Sequence, residues 1–231
     1  MNRVAPVAGA PHHRKGLTAM QLGNKTLDIT KQNRAVERVL QATDNPRHRY
    51  LLEVYLRHRY LESAGRWSEI LDPELTVDHP VYRFTLATHP SFVLDGREQV
   101  AALYKHWTDT NQSVFYVEDE LVAVGDHVVL GRGISYQQTL GSELAAEGVD
   151  ADPDAMYLTK SAVAMIWPYD DRCRLLGEDV WEFDPSVREY IKLDPADVLT
   201  ARQAGQLLDP LIKPLPTFDE SLLPRPADIG A

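Results

Sequence analysis

Cysteine is almost missing from these 231 residues: the single thiol, Cys173, has no partner for an internal disulfide, which fits a reducing compartment. Positive charge is also scarce. Against 34 Asp and Glu stand 24 Lys and Arg, a formal net charge of −10, which argues against a sequence-independent grip on nucleic-acid phosphates. No apolar run approaches the roughly 18 to 20 residues that span a bilayer. The N-terminal stretch lacks the continuous apolar segment of a secretory signal. Short-spaced metal-ligand motifs are absent too; the paired His12 and His13 have no third partner nearby, and Asp150, Asp152 and Asp154 lack the Gly and closing Glu of a calcium loop. The expectation is a cytoplasmic protein that works without cofactor, nucleic acid or membrane and is large enough to build a core without staples.

What is present divides into three parts. Residues 1–29 read as a flexible N-terminal segment rich in Pro, Gly, Ala and basic residues. Residues 30–185 carry the periodic patterns of an α+β domain with its leading helix. Residues 186–231 form an extension with one helix, Pro195 to Leu208, and a tail punctuated by Pro210, Pro214, Pro216, Pro224 and Pro226. Within the central part, helical spacing of apolar residues predicts helices over Thr30–Thr43, Arg49–Glu62, Trp67–Leu71 and Arg97 to about Thr110. The second of these puts Leu51, Val54, Tyr55, His58 and Leu61 on one broad face. β-branched and aromatic residues then predict four long strands: Val114–Val124, His127–Leu140, Tyr157–Tyr169 and Arg174–Phe183. Gly141–Asp154 reads as an acidic, mobile loop, and Thr88-His89-Pro90 as the start of another.

Chemistry is expected around Thr76–Phe84, where Asp78 and His79 precede Pro80. The proline ring disfavours helix at His79 and forces an extended segment. An imidazole there, facing an apolar hollow, exchanges a proton near neutrality; the competing reading is an edge strand whose polar residues face water. Period-two counting on the strand from His127 sets Leu130, Arg132, Ile134 and Tyr136 on one face and Gly131, Gly133 and Ser135 on the other. If the first face is buried, Arg132 needs an anionic partner, in the protein or on a ligand. On the last strand the same counting places Asp179 in an apolar row with Leu175, Gly177, Trp181 and Phe183, with Glu178 and Glu182 facing the other way. A carboxylate among aromatics has its pKa raised, which suits an acid, a base or an arginine partner.

The order helix, helix, strand, helix, meander resembles the cone-shaped α+β barrel of the nuclear transport factor 2-like superfamily, with its ketosteroid isomerases, scytalone dehydratase and SnoaL-like polyketide cyclases. The resemblance covers about Arg47 to Pro185. It rests on the turn Ala64-Gly65-Arg66-Trp67, the run Thr76 to Val81, the helix start Gly96 to Val100, and the hairpin joining Ala164-Met165-Ile166-Trp167-Pro168-Tyr169-Asp170-Asp171 to Trp181-Glu182-Phe183-Asp184. It implies a curved antiparallel sheet wrapped around helices, with the terminal segments as additions. It also implies that His79 stands where the family's isomerases carry their aspartate base. The family's first-helix tyrosine falls at Tyr55 or His58, its supporting tyrosine at Tyr104, and its oxyanion-hole aspartate at Met165; Arg132, Tyr136, Asp179 and Trp181 would face the cavity. The catalytic set expected is therefore His79, Asp78, Arg132, Tyr55, His58 and Asp179, with Tyr104, Tyr136, Trp181 and Met165 binding substrate. The function expected is cofactor-free proton transfer on a small aromatic or polycyclic molecule: dehydration, retro-aldol deformylation as in relatives acting on lignin-derived diaryl compounds, cyclisation or isomerisation. Two alternatives stand beside it. A non-catalytic binding or assembly module would show Asp78 and Asp179 in solvent or in ion pairs, where an enzyme would bring three titratable groups to one buried point. A metal enzyme would use His58, His79 and Asp179. A homodimer is expected, and the flat face at Gly131, Gly133 and Ser135 is suited to close approach by another sheet or helix.

Overall fold

The computed structural model describes residues 20–22, 25–86 and 91–224. His12, His13, the Thr88-His89-Pro90 stretch and Pro226 lie outside them. A short hairpin, β1 (Met20–Leu22) and β2 (Lys25–Leu27), precedes α1 (Arg34–Ala42), α2 (Pro46–Ser63) and α3 (Trp67–Ile70). Then come β3 (Thr76–Thr85), β4 (Phe92–Asp95), α4 (Arg97–Asp109), β5 (Phe115–Gly125) and β6 (Val128–Leu140). The chain closes with α5 (Gly141–Ala146), β7 (Met156–Pro168), β8 (Leu175–Lys192) and α6 (Ala201–Leu208).

Six strands form one curved, open sheet in the order β4-β3-β8-β7-β6-β5, with β4 and β5 as its edges. The expected α+β class, a sheet wrapped around helices, is the one observed. Its pairs are antiparallel except β3 with β8, which run parallel.

Local chemistry sets the helix ends. The Asn45 side chain accepts from the backbone N–H groups of Arg47 and His48 at the start of α2, and Pro46 occupies the first turn, where its missing N–H costs nothing. Gly65, at φ 70°, takes the left-handed position just past that helix. One apolar cluster fills the space between α2, α4 and the inner face of the sheet, built on Leu51, Val54, Tyr55, Leu61, Tyr82, Val100, Tyr104 and Trp167. A second gathers Tyr60, Val114, Tyr136 and Leu158 with residues from both ends of the chain.

Those ends are more integrated than the sequence suggested. Met20, Leu27 and Ile29 are fully buried in the second cluster, so the segment expected to be flexible has joined the fold by Met20. Strand β8 runs past the expected boundary at residue 185, pairing Lys192 with Tyr157. The 141–154 stretch, expected as a mobile loop, opens with α5 and returns to β7 through a bond from Gly141 N–H to the Ala155 carbonyl. The tail is tied down by Arg47, whose buried guanidinium donates to the carbonyls of Asp126, Asp170, Asp171 and Leu222, joining α2, two hairpin turns and the C-terminal segment.

Candidate active site

Between the inner face of the sheet and helices α2 and α4 lies a cavity of about 260 Å³. Small side chains on the middle strands make room for it: Ser135, Gln137 and Thr139 of β6 and Thr159, Ser161 and Val163 of β7 line it. Aromatic groups close the remainder. Phe84 and Phe92 stack at 4.7 Å, and Trp107, Phe115 and Trp167 complete the wall.

Into this greasy space the fold brings carboxyl groups. Glu62, in the last turn of α2, and Glu178, on β8, both line it and are 9% and 8% exposed. Removal from water disfavours their charged forms, so burial pushes Glu62 up to about 8, against the pull of the Arg59 charge. Burial also raises Glu178 well above the carboxylate range, and the neighbouring Glu62 charge adds to the rise. Glu178 has no hydrogen-bond or ion-pair partner among the described residues.

The charges of both arginines in the cavity wall are matched within the protein, and Arg59 keeps one buried nitrogen, Nη2, without a hydrogen-bond acceptor among the described residues. Arg59 donates from Nη1 to both oxygens of Glu120 at 2.8 and 2.9 Å. Arg188 binds Glu182 through two bonds of 2.9 and 2.6 Å. Behind the wall His58 sits in the core with Nε2 3.0 Å from the Tyr104 hydroxyl, which in turn donates to Tyr82 at 3.1 Å. Its ring meets Trp167 edge-on at 4.5 Å, and Glu62 lies 4.0 Å from its Nε2. Burial, reinforced by the Arg59 charge, depresses the imidazole to about 3, so His58 is neutral at pH 7.

The expected meeting of His79, Arg132 and Asp179 does not occur. On β3 it is Pro80, Tyr82 and Phe84 that turn inward, which leaves Asp78 and His79 outside. His79 has a side chain 69% exposed and pairs with Asp95 at 2.8 Å, its ring against Gly96. Asp78 is in solvent, near Arg97. On β6 the two faces were read correctly but the wrong one was taken as buried. Arg132 stacks its guanidinium over Phe183 at 4.1 Å on the outside, and the Gly131, Gly133 and Ser135 face, expected to meet another sheet or helix, lines the inside.

On β8 the inside and outside exchange at Gly177. Leu175 is buried and Leu176 exposed, then Gly177 and Glu178 are both buried, and from there Asp179 and Trp181 face out while Glu178, Val180 and Glu182 face in. The pairing with β3 breaks its register at this point, between Thr76–Leu175 and Val81–Gly177. Gly177 allows it, since a Cβ there would lie 1.8 Å from the Val81 carbonyl oxygen. A one-residue slip of this kind moves every later side chain to the opposite face. Asp179 therefore pairs with Arg83 outside, and Trp181 is 57% exposed.

Of the remaining expected residues, Met165 lines the cavity. His58 and Tyr104 form the buried relay behind it. Tyr55 is fully buried against Trp167, with its hydroxyl unpaired. Tyr136 packs in the second cluster and donates to Glu118. The metal set of His58, His79 and Asp179 is not assembled, one member being in the core and two on the exterior. The residues that sequence reasoning passed over are Arg59, Glu62, Glu120 and Glu178. On α2 the spacing Tyr55, Arg59, Glu62 places all three toward the sheet, a signal available in the sequence beside the apolar face of Leu51, Val54, Tyr55, His58 and Leu61.

Solved structures similar to this chain carry SnoaL-like and NTF2-like names. One, assigned as a SnoaL-like polyketide cyclase from Jannaschia sp. CCS1, is 13% identical, with 61% of this chain and 90% of that one covered at a TM-score of 0.44. An NTF2-like protein from Anabaena variabilis is 12% identical over 63% of this chain and 96% of that one, at 0.42. The CaMKII hub of S. rosetta is 12% identical over 61% and 98%, at 0.38. No family model matches, and no curated protein does. Among the described residues no helix is long and apolar enough to cross a membrane.

Proposed function

We propose that the cavity is the active site of a cofactor-free lyase or isomerase that moves a proton on a small aromatic substrate, with Glu62 and Glu178 as its acid and base. The observation that carries this is the pair of carboxyl groups, both buried, both raised and sharing one aromatic-walled space. Two carboxyls close enough to feel each other do not ionise together readily. One therefore keeps its proton while the other ionises as pH rises past neutrality, the division of labour that acid-base chemistry needs. Glu178, which has no hydrogen-bond or ion-pair partner among the described residues to hold a charge, serves as the acid, and Glu62, 4.0 Å from His58, as the base.

In the working cycle Glu62 takes a proton from a carbon next to a carbonyl, and the electron pair moves onto the carbonyl oxygen. Glu178 donates its proton, or a hydrogen bond, to that oxygen. Dehydration, ring closure and isomerisation begin with this step; in a retro-aldol loss of formaldehyde Glu62 instead takes the proton of the β-hydroxyl, the C–C bond breaks, and its electron pair moves onto the carbonyl oxygen. The volume lies near the lower end of the roughly 300 to 1,000 Å³ of ligand pockets, which favours one or two rings. The criterion that separates an enzyme from a binding module divides here: Asp78 and Asp179 stand where a binding module would put them, while Glu62 and Glu178 line one buried cavity with His58 behind its wall, 4.0 Å from Glu62.

The test is solvent exchange: one- and two-ring aryl ketones are incubated with the protein in D₂O, and deuterium at the carbon beside the carbonyl is followed by NMR. Exchange above the buffer rate is expected, lowered about 100-fold or more in Glu62→Gln and Glu178→Gln. No exchange from any ketone, or variants as fast as the parent, overturns the proposal; a ketone bound but never exchanged makes the cavity a binding module.

A homodimer is part of the same proposal. The outer face of the sheet leaves Leu121, Leu130, Ile166 and Trp181 exposed on neighbouring strands, more apolar surface than an isolated sheet face needs. Light scattering at micromolar concentration should give twice the chain mass, and a monomer would refute it.

A further inference from the structure

The charges of the cavity do not balance. Six charged side chains line it: Arg59, Arg188, Glu62, Glu143, Glu147 and Glu178. Both arginines are matched by carboxylates that do not line it, Glu120 and Glu182, each held in a two-bond grip. Glu143 is bound by His106 at 2.7 Å and by Gln112 at 3.0 Å. Glu147 has a contact of its own, which leaves Glu62, whose one ion-pairing neighbour within 4.0 Å is the neutral His58, and Glu178, unpartnered and more than nine-tenths buried. Buried carboxylates are ordinarily paired. The missing partner is a cation that the protein does not supply, and aromatic rings, whose faces attract a cation, line the same cavity.

We propose that the substrate is a small aromatic molecule bearing a basic nitrogen, its ammonium group seated between Glu62 and Glu178 and its ring held by the Phe84, Phe92 and Trp107 wall. This deepens the reading of the cavity as an active site and rests on it. The acidic Glu143 and Glu147 at the same cavity, with the chain's net charge of −10, favour approach of a cation and repel a carboxylate or phosphate. Facing Glu178 are Glu62, Arg59 and Asp179, and facing Glu62 are Arg59 and His58. An arriving ammonium lets both ionise, so binding releases protons and tightens as pH rises from 5 toward 8.

The experiment is titration calorimetry of the full chain with three single-ring probes of similar size: 2-phenylethylamine, 2-phenylethanol and 3-phenylpropanoate. The amine should bind about tenfold or more tightly than the alcohol, with protons released in buffers of differing ionisation heat, and the acid should bind more weakly than either. In Glu178→Gln the advantage of the amine over the alcohol should vanish; Glu62→Gln reports the same balance if the first variant is poorly folded. Equal binding of amine and alcohol, preference for the acid, binding of none of the three, or an amine advantage that survives both substitutions overturns the proposal. Ketone exchange without amine preference would defeat this inference alone, and amine preference without ketone exchange would defeat the catalytic reading alone.

Discussion

Glu178→Gln should make the protein more stable, by an amount that grows with pH. In the folded chain burial holds the Glu178 proton well above the carboxylate range, whereas in the unfolded chain the group titrates near its ordinary 4.5. Between those two values the unfolded state releases a proton that the folded state keeps, so stability falls as pH rises, by about 1.4 kcal/mol per pH unit. From 4.5 to 7 that amounts to about 3 kcal/mol for a group that keeps its proton throughout. Glutamine has nearly the shape of the protonated acid and nothing to ionise. The variant should therefore match the parent near pH 4.5 and exceed it by about 3 kcal/mol at pH 7, a rise in Tm of about 6 to 12 °C for a chain this long. The alkaline limb has an acid counterpart in His58. Its folded value near 3 lies below its unfolded 6.5, so its contribution is present above 6.5 and lost as pH falls toward 3. The assay is thermal unfolding of both proteins at half-unit steps from pH 4.5 to 8. A gap that stays constant across the series, or a variant less stable than the parent at pH 7, would show that Glu178 is ionised in the folded chain.

Three further outcomes follow from the same contacts. Arg59→Met strands the Glu120 carboxylate in the core and should cost about 3 to 5 kcal/mol in urea unfolding, whereas Arg59→Met with Glu120→Leu should recover most of that loss. Arg47→Met removes the donor shared by four carbonyls; we expect a loss of about 3 kcal/mol, together with faster proteolytic cleavage of the C-terminal segment. His79→Ala should change stability by less than about 0.5 kcal/mol and leave ketone exchange at the parent rate, since the ring is exposed and its pair with Asp95 is open to water.

Much of the architecture was written in the periodicity. The helices around Leu51 to Leu61 and Val100 to Trp107, and the hairpin turn at Gly125-Asp126, lie where apolar spacing and turn residues put them. The site was far less legible. Alternation along a strand tells which residues share a face but not which face is covered, and on β6 the small residues proved to be the covered ones, Gly131 and Gly133 under close-packed neighbours and Ser135 under the hollow. On β8 the alternation itself was interrupted at Gly177, a contact with the Val81 carbonyl that no local pattern announces. Arg59 and Glu62 drew no attention because their partners, Glu120 and the cavity, arrive from other parts of the chain. Asp119, with φ 51°, marks a further irregularity, where β5 shifts its register with β6 and Glu120 is buried.

The hollow is bounded on its strand side by side chains no larger than they must be: Ser135, Thr139, Thr159 and Ser161 all stand on central strands whose backbones are pinned by neighbours on both sides. A hydroxyl exchanged for an isobutyl group at one of them would shorten the chamber without disturbing a single strand pairing. Evolution, or an engineer, can thus retune how long a guest molecule fits while the two acids that greet it stay where they are.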